Sequence, residues 1–464
     1  LTLKNHDTLF ISLFGGIAMA SDTPSDYQNL VIYEVYVRNH SPEGTFAGVE
    51  RDLERIKSLG VDVVWFMPIH PIGKLNKKGS LGCPYSISDY REVNPEYGSK
   101  ADFKRLVDRI HQLGMQVMID VVYNHTSHDS VLVHDHPEFF HQDAQGNPVT
   151  TVPDWSDVID LKHPNKALTD YLIDTLKMWA EFGVDGFRCD VASLVPIEFW
   201  IQARSEVAKV KPGVIWLAES VHAAFIEYRR THHLSGLSDS EIYAAFDMTY
   251  DYDIWPIFQA AVLGHAPVDR FIEMVRFQKA IYPANYLKMR CSENHDQRRI
   301  MGISKSVDHA LAWSAFMAFL PGPFLLYGGQ ESGANHTPSL FDIDKVEWND
   351  YTHQAVYSKI TGIKKHKLIS TGEWTVKTTQ PAVVSLWSSE AASLVGIFNL
   401  NHVTGEVVVP VEDGEYIDLI SKKQIWVVDG KTAVPANAVV FEYPQAIDLK
   451  PFYSELLDWH LPPA

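Results

Sequence analysis

From about residue 30 the chain alternates short β-branched runs with amphipathic stretches, and this rhythm narrows its fold more than any other feature. Residues 31–38 (VIYEVYVR) read as a strand, and 46–60 as a helix closed by Gly60, since glycine ends a helix in the left-handed conformation at no steric cost. A strand over 61–68 (VDVVWFMP) follows. A helix over 100–114, again stopped by glycine, leads into the strand 116–123 (QVMIDVVY). Helix 166–183 then precedes strand 185–191, helix 196–209 precedes strand 214–219, and further strands fall near 244–250, 286–293 and 323–327. About eight strands in this order exceed what a flavodoxin-like sheet uses and match an α/β chain closed into a (β/α)8 TIM barrel with insertions.

Two departures from the rhythm divide the chain. Residues 124–163 are rich in His, Asp, Pro and Gly without helical period and are too long for an ordinary βα loop, so a short inserted subdomain is expected after strand three. After about residue 368 the helices stop, and the runs 376–379, 383–387, 394–398, 405–411 and 424–428 read as antiparallel strands of a C-terminal β-sandwich. The expected layout is an N-terminal extension over 1–29, a barrel over 30–123 and 164–370, the insertion over 124–163 and the sandwich over 371–464. Within the extension, Lys4 precedes an apolar run over 9–20 (LFISLFGGIAMA) that ends in Ala18-Met19-Ala20, a signal-peptidase pattern too short to span a membrane. The run is either a signal peptide of a secreted or periplasmic protein, or upstream or vector-derived sequence before a natural start at Met19 of a cytoplasmic one. Cys83, Cys189 and Cys291 are too few and too far apart for a disulfide framework or a zinc site. They are expected as free thiols, which favours the cytoplasm.

In a barrel of this kind the reactive groups belong at the C-terminal ends of the strands. Strand three ends in Asp120, followed by Asn124 and His125; strand four carries Arg188 and Asp190; strand five ends in Glu219; strand seven ends in Glu293, Asn294, His295 and Asp296. One carboxylate in such a place is ordinarily a helix cap or an ion-pair partner. Several recurring on one face point to a site, because like charges raise one another's pKa while a nearby arginine lowers its partner's. One carboxylate can then stay ionised while another keeps its proton, the division of labour that glycosidic cleavage requires. Arg188 and Asp190 lie two apart on one strand and so share a face, which makes Asp190 the candidate nucleophile. Glu219 has no cation beside it in sequence and has Trp216 and Leu217 nearby, which makes it the candidate proton donor. With 40 Lys and Arg against 58 Asp and Glu the net charge is −18, which argues against nucleic acid or an anionic membrane as partner.

The strings DVVYNH (120–125), GFRCD (186–190), the Glu219 of WLAES and ENHD (293–296) resemble, in order and spacing, the four signature regions of the alpha-amylase family, glycoside hydrolase family 13. The resemblance extends to Pro84-Tyr85, to Ser88-Asp89-Tyr90, to VIDL (158–161) in the insertion and to GPFLLYGGQE (322–331). It implies a retaining mechanism on α-glucosidic bonds with Asp190 as nucleophile, Glu219 as general acid/base and Asp296 as the third carboxylate. It further implies that Arg188 orients Asp190, that His125 and His295 bond sugar hydroxyls, and that Tyr85 stacks under the ring. A calcium ion held by Asn124 and Asp160 between barrel and insertion is also implied, and no organic cofactor. One departure is Ser193-Leu194, where the family usually has Lys-His. The expected activity is an endo- or exo-acting hydrolysis of maltooligosaccharides or starch dextrins. The alternatives are a 4-α-glucanotransferase or, disfavoured because all three carboxylates are present, a non-catalytic glycan-binding barrel. The short insertion points to an open cleft suited to small dextrins.

Overall fold

The computed structural model describes residues 22–152, 154–378 and 381–450, so the apolar run over 9–20 and the chain beyond 450 lie outside the described residues. Eight parallel strands form one sheet: β1 (Val31–Val35), β2 (Val63–Phe66), β3 (Gln116–Val121), β4 (Gly186–Cys189), β5 (Ile215–Ala218), β6 (Met248–Tyr250), β7 (Lys288–Met289) and β8 (Phe324–Tyr327). Each strand lies beside its successor, and β8 returns to β1 with Tyr33 opposite Leu326. A bridge from Arg290 to Phe324 closes the ring between β7 and β8. The approach there is so tight that a Cβ on Gly322, at φ +104°, would lie 2.0 Å from the Lys288 carbonyl oxygen. Only glycine accommodates both the dihedral and the distance.

The strands are buried on both faces, which is why they read as continuous apolar runs. The helices follow the usual amphipathic logic. Lys100–Gln112 begins at a Ser99–Asp102 capping box and buries Phe103, Leu106, Val107 and Ile110 along one face. The helix expected over 46–60 is broken into Phe46–Glu50 and Leu53–Ser58. At the break the Asp52 carboxylate takes hydrogen bonds from His40 and Arg55 at 2.6–2.8 Å. Strand one likewise stops at Val35, because Val37–His40 turns into a short, wholly buried helix.

Inside the insertion His125–Ser127 pairs antiparallel with Val158–Asp160, which sets His125 opposite Asp160. The C-terminal region has a four-stranded antiparallel sheet of β9 (Glu373–Thr378), β10 (Val383–Ser388), β11 (Ser393–Phe398) and β12 (Ala438–Tyr443). Its second layer consists of two ribbons, Glu406–Val408 with Lys431–Ala433 and Gly414–Ile417 with Gln424–Val427. Alternate residues serve two cores: Val383, Trp387, Leu394 and Phe398 pack toward the barrel, whereas Val384, Leu386, Val395 and Ile397 pack with Val407 and Val427. The helix Val307–Phe319, buried from His309 onward, lies between barrel and sheet, and the Trp387 indole donates to the Phe319 carbonyl at 2.8 Å. Among the described residues no helix is long and apolar enough to cross a membrane.

Removal of that anchor measures the docking of sheet on barrel. Trp387→Ala should cost roughly 3–5 kcal/mol in urea unfolding, the usual range for a buried tryptophan. Trp426→Ala, whose side chain is 58% exposed, should leave the midpoint unchanged.

Candidate active site

The polar strand ends converge on one buried guanidinium. Arg188, in register with Asp120 of β3 and Leu217 of β5, points into the barrel mouth. Its Nη1 donates to Asp120 Oδ1 at 3.0 Å and to Asp190 Oδ1 at 2.8 Å, and its Nη2 lies 3.1 Å from Glu219 Oε2. Its Nε donates to the Tyr250 hydroxyl at 3.2 Å, and the faces of Trp65 and Tyr85 flank it at 5.4 and 5.5 Å. Buried charge must be paired. Here one cation serves three carboxylates from three adjacent strands, so they cannot all be satisfied by it alone.

The inequality shows in their proton affinities. Burial pushes the Glu219 carboxyl up to about 7; Arg188 opposes this and the negative charges of Asp190 and Asp296 add to it. Asp190 is also raised by burial, with Arg188 pulling it down through both its charge and its hydrogen bond. Asp120, wholly buried, is raised well above the usual carboxylate range. The sequence placed no cation beside Glu219, but the fold brings Arg188 to it. Trp216 does not supply an apolar wall there, because it points outward to Phe187 and Phe246, and the enclosing barrel supplies the desolvation instead.

The turn after Asp190 gives Glu219 its orientation. Val191 stands at φ 35°, ψ 45°, a left-handed conformation that a β-branched residue adopts only when its surroundings impose it, and its N–H donates to Glu219 Oε2 at 2.7 Å. Ser193, in the stretch that departs from the family pattern, is buried, and its hydroxyl accepts the Val221 N–H at 3.3 Å.

A second charged group completes the floor. Burial works against a charged His295, but Asp296 and Glu34 outweigh it and hold the imidazole up at about 9. His295 Nδ1 bonds Glu34, while its Nε2 meets the Tyr85 hydroxyl at 2.8 Å and Asp296 Oδ2 at 3.3 Å. Tyr85 in turn donates to Asp120 Oδ2 at 3.0 Å, and its ring stacks on His295 at 5.5 Å. Asp296 is the most open of the carboxylates at 34% exposure and accepts from the Tyr252 hydroxyl at 3.3 Å. His125 Nε2 lies 4.0 Å from Asp190 Oδ2, and burial lowers its pKa. Tyr85, His125, Asp190, Glu219, His295 and Asp296 line a single cavity of about 240 Å³ over Arg188. Glu293 is apart from it, tied to Arg299 at 2.6 Å and to the Ile300 N–H. Glu34, Trp65, Tyr250 and Tyr252 were not expected from sequence. Glu34 alone left a signal, as a charge in the apolar run VIYEV.

Asn124 and Asp160 lie off the cavity. Asp160 is taken up by the Thr151 backbone N–H at 2.8 Å and hydroxyl and by the Thr150 hydroxyl at 3.4 Å. The cation of this corner is the buried Arg229, which donates to the Thr151 hydroxyl at 2.8 Å and has Asp160 as its foremost opposite charge. The Asn124 side chain turns its amide nitrogen to His125 Nδ1 at 3.2 Å. Among the described residues no group of three or more His, Cys, Asp or Glu could hold a metal ion. The three cysteines are free thiols.

Comparison with known proteins agrees with this geometry. The family model "Alpha amylase, catalytic domain" matches residues 19–146 and 152–375, and "Bacterial Alpha amylase C-terminal domain" matches 375–441. An alpha-amylase of known structure from Lactobacillus plantarum is 44% identical, with a TM-score of 0.88 over 90% of this chain and 100% of that one. A noncanonic maltogenic alpha-amylase, AmyB from Thermotoga neapolitana, is 33% identical, with a TM-score of 0.80 over 90% and 99%. The alpha-amylase MalA of Haloarcula japonica is 27% identical over 67% of this chain, which spans 45% of that protein's length. The catalytic-domain model covers well over half of the sequence, and the chain belongs to the alpha-amylase family, glycoside hydrolase family 13.

Proposed function

We propose that the chain is a retaining α-glucan hydrolase of the alpha-amylase type, cleaving α-1,4 bonds of maltooligosaccharides or starch dextrins. The observation that carries this reading is the single guanidinium between Asp190 and Glu219. Two carboxylates bound by neighbouring nitrogens of one arginine stand close together, which favours the spacing of roughly 5–5.5 Å at which one attacks carbon directly over the wider gap that admits a water.

In the first step Glu219, protonated, gives its proton to the glycosidic oxygen as the bond from C1 to that oxygen breaks. The electron pair leaves with the departing sugar, and an Asp190 oxygen bonds to C1 to form a glycosyl ester. In the second step the Glu219 carboxylate removes a proton from water, the water oxygen bonds to C1, and Asp190 departs as carboxylate. Each step passes through an oxocarbenium-like transition state, which gains from nearby fixed negative charge and from hydrogen bonds that tighten only there. Asp296, His295 and His125 suit the second role by their position on the cavity wall, and Tyr85 offers a ring face to the sugar. Arg188 supplies the field that separates the two carboxylates and does not itself exchange a proton.

We also propose that the fold works without calcium, Arg229 holding the corner of the insertion near Asp160.

Asp190→Asn should reduce turnover of maltoheptaose to background while thermal unfolding stays as in the parent; an active variant would remove Asp190 from the nucleophile's role. Glu219→Gln should lose roughly 10²–10⁴-fold on natural glucan. It should lose far less in the glycosylation step on an aryl glucoside, whose leaving group needs no proton. Since Glu219 must be protonated to act and its pKa is raised to about 7, kcat/KM should fall as pH rises through about 7. The Gln variant assayed on the aryl substrate should lack that alkaline limb. Finally, EDTA and added calcium should leave the melting temperature unchanged, whereas an ion at a hundred times its Kd would add about 2.7 kcal/mol.

A further inference from the structure

The cavity is walled on one side by loops that interlock. Barrel geometry identifies the side. In a ring of eight strands β1 stands across the mouth from β5, and Glu219 stands at the end of β5. The loops after β2 and β8, which flank β1, therefore rise opposite the proton donor. Both are pinned from below by the buried Arg38 just after β1, whose Nη1 donates to the Gly82 carbonyl at 3.1 Å and to the Leu340 carbonyl at 3.2 Å. They are also bonded to each other. The Leu81 N–H donates to the Phe341 carbonyl at 3.0 Å, and Ser80 gives both its N–H and its hydroxyl to Asp342 at 2.9 and 2.6 Å. Lys78 carries the wall on to the insertion, with its Nζ 2.8 Å from Asp157 Oδ1 and 3.2 Å from the Asp154 carbonyl. Lys78, Phe341 and Asp157 line the same cavity as Asp190 and Glu219. The long loop after β2 thus adds a wall to the cleft beside the short insertion.

Glu219 protonates the oxygen of the departing sugar, so the departing, reducing-end part of the glucan extends on the Glu219 side. The part held by Asp190, which carries the non-reducing end, must extend toward the wall. At about 240 Å³ the cavity falls below the roughly 300–1,000 Å³ of an ordinary ligand pocket. On the side of the wall it is bounded by Lys78, Asp157 and Phe341. We infer that the chain is exo-acting: it takes the non-reducing end of an α-1,4-glucan against the wall closed by Lys78 and Asp157 and releases short products from that end. The inference rests on the reading of the chain as an α-glucan-cleaving enzyme and sets the end from which it acts.

The test uses 4-nitrophenyl maltoheptaoside with the non-reducing glucose either free or capped by a 4,6-O-benzylidene group, with products followed by chromatography. The free substrate should yield short oligosaccharides from its non-reducing end at the earliest times, and the capped one should react at least ten-fold more slowly. Lys78→Ala should raise the ratio of capped to free rates several-fold, and an unchanged ratio overturns the part assigned to Lys78. Equal rates on the two substrates with cleavage in mid-chain overturn the exo reading and leave hydrolysis itself standing. No turnover of either substrate overturns the activity on which the inference depends.

Discussion

Arg188 is the charge around which the rest of the site is arranged. A guanidinium wholly inside a barrel is costly unless its donors are met, and Asp120, Asp190, Glu219 and Tyr250 meet them. The same economy leaves the carboxylates under-compensated. One positive charge cannot offset three negative ones in a desolvated space, so at least one carboxyl keeps its proton near neutrality. Burial, with the neighbouring negative charges adding to it, holds Glu219 up to about 7, which leaves an acid beside a carboxylate that Arg188 favours in its ionised form.

The barrel makes this arrangement possible by register. Asp120 and Arg188 are direct neighbours across β3 and β4, and Glu219 follows the last residue of β5, so three short strands present their ends at one level. The second cation, His295, is tied on its far side to Glu34 from β1 and reaches Asp120 through Tyr85. The two cations are thereby joined in one hydrogen-bonded floor under the cavity. The C-terminal sheet has no residue there. Its place is to cover the helix Val307–Phe319 and, through it, the back of the barrel.

Much of this was legible in the sequence because the chemistry is written in residue types at strand ends. The eight strands fell within the runs that the sequence marked, and His125, Asp190, Glu219, His295 and Asp296, from the ends of β3, β4, β5 and β7, met in one cavity. What was not legible depended on partners far away in sequence. Arg188 reaches Glu219 across 31 positions, the difference of the two numbers, so sequence adjacency could not reveal that cation. Glu34 becomes part of the site only when β1 stands next to the loop after β7, and Arg38 shapes the rim only through carbonyls at Gly82 and Leu340. Nor does adjacency reveal Arg229, which comes from a later helix to the Thr151 hydroxyl beside Asp160. The helix over 46–60 was interrupted for a similar reason: Asp52 is committed to His40 and Arg55, contacts that no local periodicity records.

The central claim is that Asp190 attacks carbon and Glu219 first gives and then takes a proton, a double displacement that preserves anomeric configuration. Proton NMR of the newly formed reducing end, recorded in the first minutes of maltooligosaccharide cleavage before mutarotation, tests it most directly. The account predicts the α anomer as the first product. Appearance of the β anomer first would mean that water attacks in a single step and would contradict it.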